Sequence, residues 1–143
     1  MVDQIKQALS NVPASTAEIQ FRGYGFFPTA RSARVFWVGI EAGPQLATLA
    51  AAIDDKTAAL GIPKEDRAFS PHLTLARGAG GSGSARRHKT DGPNRAFQGL
   101  QEKLSVLPTP EFGTMTARKF FLYQSKLSPK GSKYTKLAAF DLK

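Results

Sequence analysis

The chain of 143 residues contains no cysteine, which excludes disulfide cross-links, thiolate nucleophiles and thiolate-ligated zinc. Histidine is nearly as scarce, with only His72 and His88 available for proton or metal chemistry. Negative charge is also in short supply: eleven Asp and Glu face twenty Lys and Arg, a formal net charge of +9. Such a balance serves solubility and attracts phosphate-bearing partners at long range. No stretch approaches the ~20 apolar residues needed to span a bilayer. The start, Met1 to Lys6, lacks the positive segment and apolar run of a signal peptide, so a soluble cytoplasmic protein is expected.

What is present suffices for one core. The 41% hydrophobic content and a length typical of a single domain predict one domain over residues 1–143. Val2, Ile5, Leu9 and Val12 recur at helical spacing before Pro13 ends the pattern. Residues 18–27 alternate as a strand. The β-branched and aromatic run 34–40 reads as a second strand, and the two are expected to pair as a hairpin. Residues 44–60 predict a helix opened by Pro44 and closed by Gly61, with Leu46, Leu49, Ala50, Ile53 and Leu60 on one side.

The segment 67–77 then alternates as a strand after Pro71. Residues 78–93, rich in glycine, predict a flexible loop. A helix over about 94–106 should turn Phe97, Leu100 and Leu104 inward. Strands at 112–127 and 134–142, joined by the Ser128-Pro129-Lys130-Gly131 turn, complete the order. Hairpins mixed with helices argue for the α+β class, antiparallel sheets backed by helices, rather than a doubly wound parallel sheet.

Chemistry concentrates in His72-Leu73-Thr74-Leu75. The two-residue period of a strand sends His72 and Thr74 to one face and Leu73 and Leu75 to the other, where burial is expected. An imidazole beside a hydroxyl suits proton transfer and anchoring of a nonbridging phosphate oxygen. Taken alone, such a pair on a solvated strand is more often structural than catalytic.

The residues around the pair carry a resemblance. Phe69-Ser70-Pro71-His72-Leu73-Thr74-Leu75-Ala76-Arg77 resembles the second His-x-Thr motif of the RNA 2′,3′-cyclic phosphodiesterases, often called 2′-5′ RNA ligases. Gly25-Phe26-Phe27-Pro28 with Arg34 to Gly39 is similar to the segment between that family's motifs. Leu122 to Ser128, then Tyr134-Thr135, resemble its closing hairpin. The resemblance implies a two-lobed two-histidine phosphoesterase fold, in which one histidine acts as base and the other as acid around phosphorus, without metal or cofactor. By position it implies His72 as an acid/base residue, Thr74 as a phosphate ligand and Arg77 as a cation near the phosphate or base.

The family pattern also has an earlier His-x-Thr strand, whereas residues 1–71 contain no histidine. The expectation is therefore an amino-terminally shortened member with impaired hydrolysis of 2′,3′-cyclic phosphate ends to 2′-phosphates. The alternative is a noncatalytic RNA- or nucleotide-binding remnant, and a homodimer supplying what one chain lacks is a third reading. RNA ends or nucleotide 2′,3′-cyclic phosphates are the implied partners.

His88, in a glycine-rich basic loop without a His-x-Thr strand, is read as an RNA-facing charge rather than a proton donor. The glycines from Gly78 lack the Gly-Lys-Ser/Thr of a phosphate loop and are read as a linker. Tyr123 lies in the closing strand, where an aromatic either packs in the core or stacks on a base. Trp37, flanked by Phe36 and Val38, is expected in the core.

Overall fold

The structure, a computed structural model, describes residues 1–78, 95–108 and 110–143. Nearly all of the expected 78–93 loop, His88 included, lies outside the described residues. The elements run α1 (Val2–Ser10), β1 (Ala17–Phe27), β2 (Val35–Ala42), α2 (Pro44–Ala58), β3 (His72–Arg77), α3 (Arg95–Ser105), β4 (Glu111–Ala117), β5 (Lys119–Ser128) and β6 (Gly131–Asp141). One sheet has the order β3-β2-β1-β4, and β5 pairs with β6 in a second. The α+β expectation holds.

By contacts the chain divides into two compact units, one of residues 1–19, 42–69 and 115–143, the other of 20–41 and 70–114. In the first, α1 packs on α2 and β6. Leu9 of α1 and Leu49 of α2 are buried, as helical spacing requires of the apolar stripe. Pro44 opens α2, where its missing N–H costs nothing. Gly61, at φ +86°, takes the left-handed conformation that follows a helix end. Antiparallel β5 and β6 stack Phe120 on Phe140, ring centroids 4.8 Å apart. Their turn is tied by the Ser128 hydroxyl, which donates to the Gly131 carbonyl at 2.8 Å.

The expected strand 112–127 is in fact two strands. It breaks at Arg118, because β4 belongs to the four-stranded sheet and β5 to the hairpin. Continuous alternation does not reveal that a chain changes sheets.

The second unit holds the core that carries the site. Phe36 of β2, Ala33 and Phe97 of α3 are buried together, flanked by Tyr24, Phe26, Leu100 and Leu104. Phe26 stacks on Phe36 at 5.1 Å and meets Phe97 edge-on at 5.9 Å. The inward face expected of α3 is thus present. Arg22, in the inner strand β1, reaches Glu41 of β2 at 4.0 Å and Glu111 of β4 at 3.8 Å. At these distances and exposures the pairs contribute little stability, but they favour one register across three strands.

One expectation fails. Leu73 and Leu75 are 43% and 55% exposed. Alternation decides which side a residue takes, whereas burial needs a covering layer. The described apolar core centres on β1, β2 and α3, and β3 is the edge strand beyond it.

Candidate active site

His72 opens β3 opposite Gly39, and Thr74 stands opposite Trp37 on antiparallel β2. Directly opposed residues share a sheet face, so His72, Thr74, Trp37 and Gly39 lie on one side. His72 is exposed and Thr74 partly buried. The expected common face for the imidazole and hydroxyl is present.

A backbone contact sets the imidazole's orientation. Nδ1 of His72 lies 2.9 Å from the Ser70 carbonyl oxygen. A carbonyl only accepts, so Nδ1 carries the proton and donates. Nε2 is left as the nitrogen that takes or gives a proton elsewhere, an arrangement typical of acid/base histidines.

Arg77 reaches the same face by an irregularity. Strict alternation from His72 would send residue 77 to the leucine side. The ladder instead shifts between Phe36 and Trp37: Trp37 pairs with Thr74, Phe36 with Ala76 and Val35 with Arg77. Leu75 is the extra residue of a β-bulge, and the alternation after it inverts. Val35 and Trp37 are two apart on β2, so their partners Arg77 and Thr74 emerge on one side. His72, Thr74 and Arg77 are therefore brought together on a single face, although counting residues predicts otherwise.

Trp37 departs from its expected place. It is only partly buried, on the His72 face, with its indole centroid 6.3 Å from the imidazole centroid and tilted by 60°. The signal was available in the sequence: Phe36 and Val38 take the core parity of β2, so Trp37 takes the opposite one. Tyr123 lies in the other unit, on β5, 49% exposed and 6.1 Å from Phe121 between ring centroids. Lys136 caps the Phe121 ring at 4.0 Å. The described residues contain no cluster of three or more metal-ligating side chains. No helix among them is long and apolar enough to cross a membrane.

Comparison with known proteins gives a consistent result. The family model described as the 2′-5′ RNA ligase superfamily matches residues 1–90. The RNA 2′,3′-cyclic phosphodiesterase of Archaeoglobus fulgidus is 34% identical over 138 residues, 96% of this chain and 69% of that protein. The protein of the same name from Methanothermobacter thermautotrophicus is 32% identical over 125 residues, 87% of this chain and 60% of that one. This chain thus spans between 60% and 69% of the length of these two relatives.

Among solved structures, TT0787 of Thermus thermophilus superposes with a TM-score of 0.64 at 26% identity, covering 99% of this chain and 69% of that one. E. coli LigT, crystallised with 3′-AMP, gives 0.68 at 22% identity, covering 99% and 68%, a likeness of fold. Motif, fold and sequence identity agree: the chain belongs to the 2′-5′ RNA ligase superfamily.

Proposed function

We propose that this chain binds RNA ends bearing a 2′,3′-cyclic phosphate and opens the ring to a 2′-phosphate, with His72 as one acid/base group. The observation that carries this reading is the single strand face holding His72, Thr74 and Arg77, with Nε2 of His72 left free by the Ser70 contact.

Ring opening forms a bond from a water oxygen to phosphorus and breaks the bond from phosphorus to O3′. The water must lose a proton and O3′ must gain one. Nε2 of His72 serves one of these transfers, and the Thr74 hydroxyl donates to a nonbridging oxygen whose charge grows as water attacks. Arg77 faces Val35, two residues along β2 from Thr74's partner Trp37, so it lies roughly 7 Å along the sheet from Thr74 at ~3.3 Å per residue. Its long side chain suits the role of a cation near the phosphate or an adjoining base.

The chain carries one His-x-Thr motif, so among the described residues a single imidazole has two proton transfers to serve, and turnover should be slow. Tyr123, exposed on β5, is an aromatic suited to stacking on a base. We take residues 1–143 to act as one functional domain, and a cytoplasmic setting goes with an RNA substrate.

The test compares the chain with its His72→Ala variant on an RNA carrying a 2′,3′-cyclic phosphate. A fall of ~10²–10⁴-fold in the slow ring-opening rate is expected. An unchanged, measurable rate would remove His72 from the chemistry.

A second reading, binding without turnover, is favoured by the single motif and would appear as 2′-phosphate binding with no ring opening in either protein. Leu73 and Leu75, exposed on edge strand β3, favour a homodimer formed along that edge. A monomeric mass by light scattering at high concentration would exclude it.

A further inference from the structure

We infer that Trp37 is a nucleobase-stacking residue of the His72 site, so that the site takes a nucleoside 2′-phosphate rather than a bare phosphate. The inference rests on the proposed function and adds the group that would recognise the base.

Three observations carry it. Trp37 stands opposite Thr74 in the β2–β3 ladder, and its ring is 6.3 Å from that of His72. Both residues read as phosphate-handling are therefore its immediate neighbours. The indole also lies against Gly25: a Cβ built there would come within 3.0 Å of three ring atoms, closer than real Cβ atoms are found. Glycine at 25 is thus what lets the indole lie down on β1. Finally, His72 faces Gly39, which has no side chain, so nothing from that position stands between imidazole and indole.

One ring face rests on the Gly25 backbone, and Trp37 is still only partly buried. A large π surface is left beside the imidazole. Strands are about 4.8 Å apart, so an indole reaching from β2 over β1 lies one to two strand spacings from Thr74. A ribose bridging a phosphate at Thr74 and a base on Trp37 fits that span. An apolar filler on a core face would need no such neighbours, and the core residues of this strand, Phe36 and Val38, take the opposite parity.

Trp37 is the chain's sole tryptophan, so its fluorescence reports on this site alone. In the unaltered chain, adenosine 2′-monophosphate should quench that fluorescence on binding, and inorganic phosphate should not. By calorimetry, Trp37→Leu should weaken adenosine 2′-monophosphate by ~5–150-fold, the range for loss of one base–aromatic stack, with Trp37→Phe in between. Inorganic phosphate should bind all three proteins within about twofold.

Equal losses for nucleotide and phosphate would make Trp37 a structural support of the phosphate site and overturn the inference. Absence of nucleotide quenching in the unaltered chain would do so even if the leucine variant fails to fold. Failure of the unaltered chain to bind either ligand would bring down the proposed function itself, and this inference with it.

Discussion

Lys126 and Lys133 stand directly opposite each other across the β5–β6 ladder, and both are exposed. Like charges in that position repel and weaken a hairpin, so the pair opposes stability. Lys119, Lys130, Lys136 and Lys143 lie in the same segment, with Asp141 as its one acidic residue. Exposed Tyr123 and Tyr134 lie among them. Basic side chains interleaved with aromatics suit single-stranded nucleic acid.

Replacing both Lys126 and Lys133 by Gln should therefore have opposite effects on stability and binding. The melting temperature should hold or rise. The slope of log affinity for a short single-stranded RNA against log salt should become shallower by about 1.4, at ~0.7 for each phosphate that is no longer neutralised. An unchanged slope, measured by fluorescence anisotropy between low and moderate salt, would mean that RNA does not run over this hairpin.

Thr74→Val keeps the shape of the side chain and removes its hydroxyl. If that hydroxyl donates to a phosphate oxygen, inorganic phosphate should bind ~10–150-fold more weakly, the worth of a hydrogen bond to a charged group. Calorimetric titration decides this, and equal affinity for the two proteins would remove Thr74 from the anion site.

Phe97→Ala should lower the unfolding free energy by ~3–5 kcal/mol, because the ring is 6% exposed and packed against Phe26 and Phe36. Urea denaturation followed by circular dichroism measures it. A loss below about 1 kcal/mol would show that α3 contributes little to this core.

The Asp141 carboxyl is held below the usual aspartate range, first by the hydrogen bond from Lys119 and then by that ammonium's charge, with Nζ and Oδ1 2.8 Å apart. A carboxylate lowered on folding stabilises the fold above its unfolded pKa, and that contribution disappears as pH falls through the folded value. Both groups are solvent-exposed, so the effect on stability is small and the cleaner readout is the titration itself. In Lys119→Met, NMR should find the Asp141 midpoint moved up toward an ordinary aspartate. A midpoint that stays put would show that the pair does not persist in solution.

These placements vary in how far the sequence exposes them. Helical spacing alone turns Leu9, Leu49 and Phe97 inward, because a helix has one apolar stripe to bury and a partner is always close. The parity of His72 and Thr74 is equally legible, since two residues apart on a strand leaves no alternative. Burial of Leu73 and Leu75 is not legible, because it depends on what lies across an edge strand. Trp37 is misread for a related reason: an aromatic inside an apolar run resembles core until the run is split by parity. Arg118 marks a change of sheet with no local signal, since alternation continues on both sides.

Leu75 has a role that neither its apolar character nor its exposure suggests: it acts as a frame shift in a code of two letters. Strand positions before it read in one phase and those after it in the other. The distance in sequence from His72 to Arg77 is therefore part of the site, as much as the identities of the two residues. Closing the bulge at unchanged length turns the guanidinium to the opposite side of the sheet, whereas deleting Leu75 closes it and leaves Arg77 two positions from Thr74, still on the same side. A substitution at Leu75 that preserves the extra position leaves it where it is. For a segment of this kind, an odd spacing and the bulge that absorbs it are constrained together.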